Sequence, residues 1–321
     1  FRPASHLFSG RHHPMQAPSY REIRLTNLPT EESRKLLESL LKPYSVPAAL
    51  ERFILEKVDG NPFYLEEMLH NLLESNALVA KKGRWQFTGP LHDLCIPRTV
   101  QGHVAARIDC LPPRVKRVLQ VAAVAGKHFS RPMLAGCIDD PAQLPEHLEL
   151  LERHDLIGRI AEHPHFRYGF RHDIIREVVY KSLLKKERRD LHQRLGMVME
   201  ERFTDSPDDA PEILAFHFKH GKSPHKAIRY LIQSAGTSLR QYAVIEAHRF
   251  YREAYDLLTA PGRLTPHNTG ELIDLLNRWA PVFYFRGTFG ELETLFRRHL
   301  PEADTLDDLE KRGIYHVWLG A

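Results

Sequence analysis

VDGNPFYLEEMLHNLLE, Val58 to Glu74, is the stretch from which the N-terminal part of the chain can be read. Asn61 is a helix-capping residue, because its side-chain oxygen can accept from a backbone N–H that the first turn leaves without a partner. Pro62 then falls at the first helical position, where a missing N–H does no harm and a fixed φ is already helical. Gly60 supplies the left-handed residue that ends a preceding helix, expected over 47–59. Glu66 and Glu67 are expected to complement the positive end of the new helix, and Leu65, Met68, Leu69, Leu72 and Leu73 to form its apolar stripe. The residues alone predict a sharp, well-capped corner between two helices.

Outward from this corner the chain alternates helices with short extended pieces. Thr30 is expected to open a helix with Glu31 and Glu32 in its first turn and Leu36, Leu37, Leu40 and Leu41 on its apolar face, ended by Pro43. Residues 78–80 and 84–88 flank Lys81-Lys82-Gly83, a hairpin pattern. Upstream, 1–20 reads as a loop rich in His, Pro, Ser and Gly, and 22–25 as a short strand. Downstream, helices are expected over 99–109, 114–125, 131–137 and 144–154, with Leu111-Pro112-Pro113 breaking the first from the second. Strands at 156–161 and 165–171 follow, and helices before a two-stranded wing are the order of a winged-helix domain. Residues 181–201 read as a continuing helix, with Lys185, Lys186, Arg188 and Arg189 clustered on a solvated face. Beyond a linker at 204–211 the pattern is helical only, with helices over 212–220, 224–242, 244–259, 269–285, 289–299 and 306–319. Leu231, Ala235, Ala247, Tyr251 and Ala254 fall at tetratricopeptide-like offsets, although the tryptophan and glycine of the consensus are replaced. Helix pairs of this kind stack into a superhelix that binds partners.

Composition narrows the classes. The chain has 321 residues, 42% hydrophobic and 27% charged, which fits two or three globular domains and is too apolar for disorder. No apolar run reaches a membrane span and no signal peptide opens the sequence. Cys95, Cys110 and Cys137 form no C-x-x-C pair, which favours a cytoplasmic location. A net charge of +4 does not demand nucleic acid. The expected groove-facing helix of the wing, 144–154, presents Glu146, Glu149 and Glu152, which suits packing better than phosphate contact. Of the twenty histidines, the groups His6/His12/His13 and His217/His220/His225 lack cysteines or an H-E-x-x-H pair, so no metal site is expected. No G-x-S-x-G elbow occurs, and Glu66 and Glu67 point to different faces, which makes a poor acid–base dyad. No G-x-x-x-x-G-K-[ST] phosphate loop occurs either. Phe1-Arg2-Pro3 begins without methionine and 314–321 reads as mid-helix, so the expectation is a piece of a longer protein.

Gly60-Asn-Pro-Phe-Tyr-Leu-Glu-Glu67 resembles the lid-helix motif of the STAND signalling ATPases, a branch of the AAA+ superfamily. Ile108–Pro112 and Val121–Gly126 resemble the family's winged helix, and Phe170-Arg-His-Asp-Ile-Ile-Arg-Glu-Val-Val-Tyr180 its closing His-Asp helix. The combination FRPxxxxxSGR, GNPFYLEE and FRHDIIREVVY is similar to the ATPase module attached to bacterial class III adenylate or guanylate cyclases. The resemblance is close from Leu25 to Glu200 and looser after that.

The resemblance implies a mainly α fold: end of an ATPase core and loop (1–27), helical lid with hairpin and linker (28–98), winged-helix domain with a small β wing (99–203) and tetratricopeptide-like repeats (204–321). It implies nucleotide contacts from Arg2, Asn61, Pro62, His172 and Asp173, with His172 reaching the β-phosphate of ADP in the off state; read from the residues alone, Asp173 is a helix cap and His172 a packed residue. The cofactor implied is ATP or ADP, with Mg in the parent protein. The partners implied are proteins at the repeats and an upstream ATPase core in cis, with no direct nucleic acid and no membrane. The implied function is the regulatory portion of an ATP/ADP-switched signalling ATPase controlling an attached cyclase. Two readings stand beside it: an ATPase-coupled transcriptional regulator whose DNA-binding domain lies elsewhere, and a helical scaffold with no nucleotide role.

Without the phosphate loop and the acid that holds Mg, most phosphate contacts of this class are missing. Titration calorimetry of this chain with Mg-ATP is therefore expected to show no micromolar binding; a clear micromolar isotherm would contradict the expectation.

Overall fold

The computed structural model of the chain describes residues 26–81, 83–88, 99–160, 167–203, 211–263, 265 and 268–320. They fall into two compact units, up to Arg107 and from Ile108 onward. The fold is mainly α with a small β wing and helical repeats.

The first unit holds α1 (Thr30–Leu40), α2 (Ala48–Val58), α3 (Pro62–Glu74), the hairpin β1 (Leu78–Lys81) and β2 (Arg84–Phe87), and α4 (Val100–Asp109) as far as Arg107. Thr30 is the first helical residue, and Pro29 stands at the cap without a side-chain bond. Leu37 and Leu41 are buried, whereas Leu40 is exposed; the apolar face is narrower than the leucine pattern predicts. The hairpin pairs in antiparallel register, Leu78 with Phe87 and Lys81 with Arg84. Trp85 fastens it to the helices: Nε1–H donates to the Leu41 carbonyl at 2.8 Å, and the ring meets Tyr44 edge-on at 5.7 Å.

Glu66 and Glu67 do not serve the positive end of α3, since its first turn carries no acidic residue. Glu67 is buried instead, at 3% exposure. Arg107 of α4 donates to both of its carboxylate oxygens at 2.6 Å. One turn on, Asn71 Nδ2 lies 2.8 Å from His103 Nδ1, and Tyr64 meets the His103 ring edge-on at 5.1 Å. Leu65, Met68, Leu69 and Leu72 form the buried stripe, while Leu73 faces outward. A carboxylate inside such a stripe persists only when its charge is matched.

The second unit begins with α5 (Pro113–Ala125), β3 (His128–Ser130), α6 (Arg131–Ala135), α7 (Leu144–Arg153), β4 (Ile157–Ile160) and β5 (Arg167–Phe170). The wing has three strands rather than the two expected, antiparallel in the order β3-β5-β4. β3 escapes a sequence reading because three residues show no alternation. Phe129 on it is buried and meets Phe170 at 5.6 Å.

The long helix expected through residue 181 is two helices, α8 (Asp173–Ser182) and α9 (Lys185–Phe203). Leu183 is extended, at ψ 138, and buried, and Glu187 accepts from the Leu184 N–H at 3.1 Å, restarting the helix. The repeat region follows as α10 (Pro211–His220), α11 (Pro224–Arg240), α12 (Val244–Leu258), α13 (Thr269–Arg286), α14 (Phe289–Arg298), α15 (Leu300–Asp304) and α16 (Leu309–Gly320). Leu231, Ala235, Ala247, Tyr251 and Ala254 are all buried, as their offsets predict. The short α15 was not expected. Gly196 of α9 lets Phe218 of α10 close in, since a Cβ there would stand 3.0 Å from the ring. Among the described residues no helix is long and apolar enough to cross a membrane.

Removing one partner of a buried ion pair strands the other. Arg107→Ala is expected to destabilise the first unit by about 3–5 kcal/mol, whereas Glu67→Leu with Arg107→Met together should lie near or above the parent chain. Urea unfolding followed by Trp85 fluorescence checks this; a double variant as unstable as the single one would overturn it.

Candidate functional site

The corner expected at Asn61 and Pro62 is present. Asn61 Oδ1 accepts from the Tyr64 N–H at 3.1 Å, and Pro62 is the first residue of α3. Asp59 (φ 48) and Gly60 (φ 71) are both left-handed and turn the chain sharply between α2 and α3. The corner is also held from outside. The Leu28 N–H donates to the Gly60 carbonyl at 2.7 Å, and Asn27 Nδ2 donates to the Asp59 carbonyl at 2.8 Å. A Cβ on Gly60 would stand 2.3 Å from the Leu28 oxygen, so glycine is required here twice over, by its φ and by this approach. Asn61 is half-buried and committed to its cap, while the Pro62 ring is exposed. Chemically, the corner offers a rigid apolar surface rather than a set of polar donors.

The second pair lies in the second unit. His172 occupies the cap position of α8 with extended backbone, φ −136 and ψ 141, and makes no side-chain cap bond to the helix. Asp173 is the first helical residue rather than the cap. It is exposed and faces Lys127 at 3.2 Å, and a pair in solvent contributes little to stability. β5 aims this helix start: the Arg171 N–H donates to the Leu156 carbonyl at 3.2 Å, and the Arg171 guanidinium pairs with Asp155 at 2.8 Å. Arg176 Nε donates to the Ala123 carbonyl at 3.1 Å. A helix N-terminus flanked by His172 and Lys127 suits an anion, with Asp173 as the opposing charge, while Arg176 is committed to the Ala123 carbonyl. Asn61 pairs with Pro62 in one unit and His172 with Asp173 in the other. Arg2, the remaining expected contact, lies outside the described residues.

Sequence reading missed a cluster between α8, α9 and α10. His192 and His217 are each 1% exposed, and their Nδ1 atoms face each other at 3.1 Å. His192 Nε2 meets the Tyr180 hydroxyl at 3.0 Å, and the Ala125 carbonyl accepts from the His217 ring. His220 approaches His192 at 5.3 Å between rings, and Arg188 lies over the Tyr180 ring at 5.0 Å. His225, which the sequence grouped with His217 and His220, is exposed. Burial, then His217 and His220, push the His192 imidazole down to about 3; burial, then His220, push His217 down to about 4. Among the described residues no group of three or more His, Cys, Asp or Glu is arranged to hold a metal ion.

No protein-family model matches the sequence. An uncharacterized protein of Rhizobium meliloti (strain 1021) is 29% identical over 196 residues, 59% of this chain and 19% of that protein. The chain thus spans about a fifth of the length of this curated relative. Among solved structures, a signal transduction ATPase with numerous domains (STAND) carrying a tetratricopeptide repeat sensor, from Pyrococcus horikoshii, shows 13% identity and a TM-score of 0.34, covering 92% of this chain and 50% of that one.

Both buried rings stay neutral below the ordinary imidazole value of 6.5, so below that pH the unfolded chain binds more protons than the folded one. Their stabilisation is fully present above pH 6.5 and drains away as pH falls toward about 4 for His217 and about 3 for His192, at up to about 1.4 kcal/mol per pH unit for each ring. Thermal melts across this window should show a falling midpoint that His192→Gln flattens; a variant whose profile runs parallel to the parent chain would exclude the pair as the source.

Proposed function

We propose that this chain is the regulatory part of an ATP/ADP-switched signalling ATPase, with residues 28–98 as its lid, 99–203 as its winged helix and 204–321 as its partner-binding repeats. The observation that carries the reading is the start of α8. The sheet β3-β5-β4 beside α5, α6 and α7 supports a winged-helix reading with one strand more than the sequence predicts, and it leads straight into His172 and Asp173 at a helix N-terminus with Lys127 alongside. In the proposed off state His172 donates to the β-phosphate of ADP. Lys127 offsets Asp173, which would otherwise repel the phosphate. The exposed face of Pro62 lies against the adenine, the contact a rigid apolar corner suits best. The upstream core supplies the phosphate loop, Mg and Arg2's neighbours, and the effector controlled is an adenylate or guanylate cyclase.

A scaffold without nucleotide is the second reading, favoured by one observation: Asn61 and Asp173 already have partners, in the α3 cap and in Lys127. An ATPase-coupled transcription regulator would differ in the domain attached elsewhere. On α7, Glu152 is held by Arg159 at 3.0 Å and Glu149 faces Arg153 at 3.8 Å, an arrangement that favours packing over groove reading.

In the longer protein, His172→Ala should speed ADP release and raise basal output. One charge-assisted bond of about 1.5–3 kcal/mol corresponds to roughly a ten- to hundred-fold shift between two states. Pro62→Ala should weaken nucleotide binding without unfolding the lid. ADP release rate and melting temperature measured on the same His172→Ala variant separate the readings: an unchanged release rate with a lower melting point rejects the switch.

A further inference from the structure

Between α12, α13 and α14 lies a cleft of about 610 Å³, within the range of small-molecule sites. One wall is aromatic and braced. Trp279 packs on Phe283 at 4.9 Å and on Tyr255 at 6.0 Å between rings, its Nε1–H donates to His248 Nδ1 at 3.2 Å, and the Tyr255 hydroxyl meets His299 Nε2 at 2.8 Å. With those polar tips already satisfied, the wall offers the cleft mainly ring surface.

The rim carries two guanidiniums on two different helices, Arg252 on α12 and Arg298 on α14. Neither makes a hydrogen bond or ion pair among the described residues, although neighbouring cations are paired: Arg278 with Asp274 at 2.8 Å, Arg297 with Glu293 at 2.8 Å and Arg286 with Glu291 at 3.4 Å. Glu291 lines the cleft but is engaged by Arg286, which leaves Asp256 as the lining carboxylate without a partner. Two free cations against one free anion leave the cleft positive. The His248 ring that braces Trp279 stays neutral, since burial, then Arg286 and Arg252, push it down to about 4.

We propose that this cleft binds a small organic anion, a carboxylate or phosphate ester carried on an aromatic or apolar body. The guanidinium forks of Arg252 and Arg298 take the anion in the bidentate geometry that carboxylate and phosphate share. The body of the ligand lies against Tyr255, Trp279 and Phe283. Asp256 disfavours the anion and limits affinity.

The test is calorimetry on the full chain, with Trp fluorescence in parallel, using 3-phenylpropionate, phenyl phosphate and the neutral 3-phenylpropanamide. At least one anion should bind with Kd of about 1 mM or tighter, as the ligand efficiency of such small probes allows, and the amide should not. Binding by phenyl phosphate alone or by phenylpropionate alone identifies which head group the cleft takes. Arg252→Gln and Arg298→Gln, both exposed changes, should each weaken that binding about ten-fold or more. Asp256→Asn should tighten it, and Arg297→Gln, on α14 but outside the cleft, should leave it unchanged. Failure of both anions to bind at about ten times that concentration, equal binding of the amide, unaltered affinity in both arginine variants, or weaker binding in Asp256→Asn would each overturn the proposal. No nucleotide is used, so failure here leaves the nucleotide reading untouched.

Discussion

A carboxylate and a guanidinium sealed away from water decide how α4 lies on α3. Glu67 and Asn71 stand one turn apart on α3, and Arg107 and His103 one turn apart on α4, so the helices meet through two polar rungs, Glu67 with Arg107 and Asn71 with His103. A slip of one turn along either helix would set Glu67 against His103 and leave Arg107 buried without a carboxylate, a far worse arrangement than the loss of a few apolar contacts. Apolar surfaces tolerate sliding, because their attraction has no direction. The polar rungs supply a unique register here, while the Leu65, Met68, Leu69 and Leu72 stripe packs α3 against α1, α2 and the hairpin.

What could be read from the sequence is what depends on neighbours along the chain. The Asn61 cap, the Pro62 start and the left-handed Gly60 all act within a few residues, and all three are found in place. The tetratricopeptide-like offsets were equally legible, since a small residue at Ala235, Ala247 or Ala254 is needed wherever two helices approach closely. Distant partners were not legible. Glu67 looked like a dipole-complementing residue because its arginine lies 40 residues away, and His192 looked unremarkable because His217 is 25 residues on. β3 and α15 failed for a different reason: both are too short to show a period. The break before α9 depends on one extended residue, Leu183, held by burial, which no local propensity announces. Asn61 and Pro62 stand at the cap and first position of α3 as the sequence predicts, whereas at α8 His172, not Asp173, takes the cap position. Sequence reading missed Lys127, which joins Asp173 only through the fold.

The helical hairpins of the repeat region solve one backbone problem in two ways. The turn from α13 into α14 passes through Gly287 at φ 67, and the turn from α11 into α12 passes through Tyr242 at φ 57. A residue with a Cβ tolerates that conformation poorly, yet Tyr242 is 85% exposed and gains nothing from burial in return. The packing of α11 on α12, through Leu231, Ala235, Ala247 and Tyr251, must therefore outweigh the strain. The repeat geometry is imposed by the helix faces, and the turn residue conforms to it.

The buried histidine pair carries a sense of direction. His217 spends one ring N–H on the Ala125 carbonyl, which can accept but never donate. Its Nδ1, facing His192, is then the bare nitrogen, so His192 must be the Nδ1–H tautomer and leaves its own Nε2 bare toward Tyr180. The tyrosine is thereby fixed as a donor. A single main-chain oxygen on α5 thus sets the orientation of every proton along a line that runs through α10 and α9 to α8. Reversing any one link would require all of them to reverse, and the carbonyl at the end forbids it.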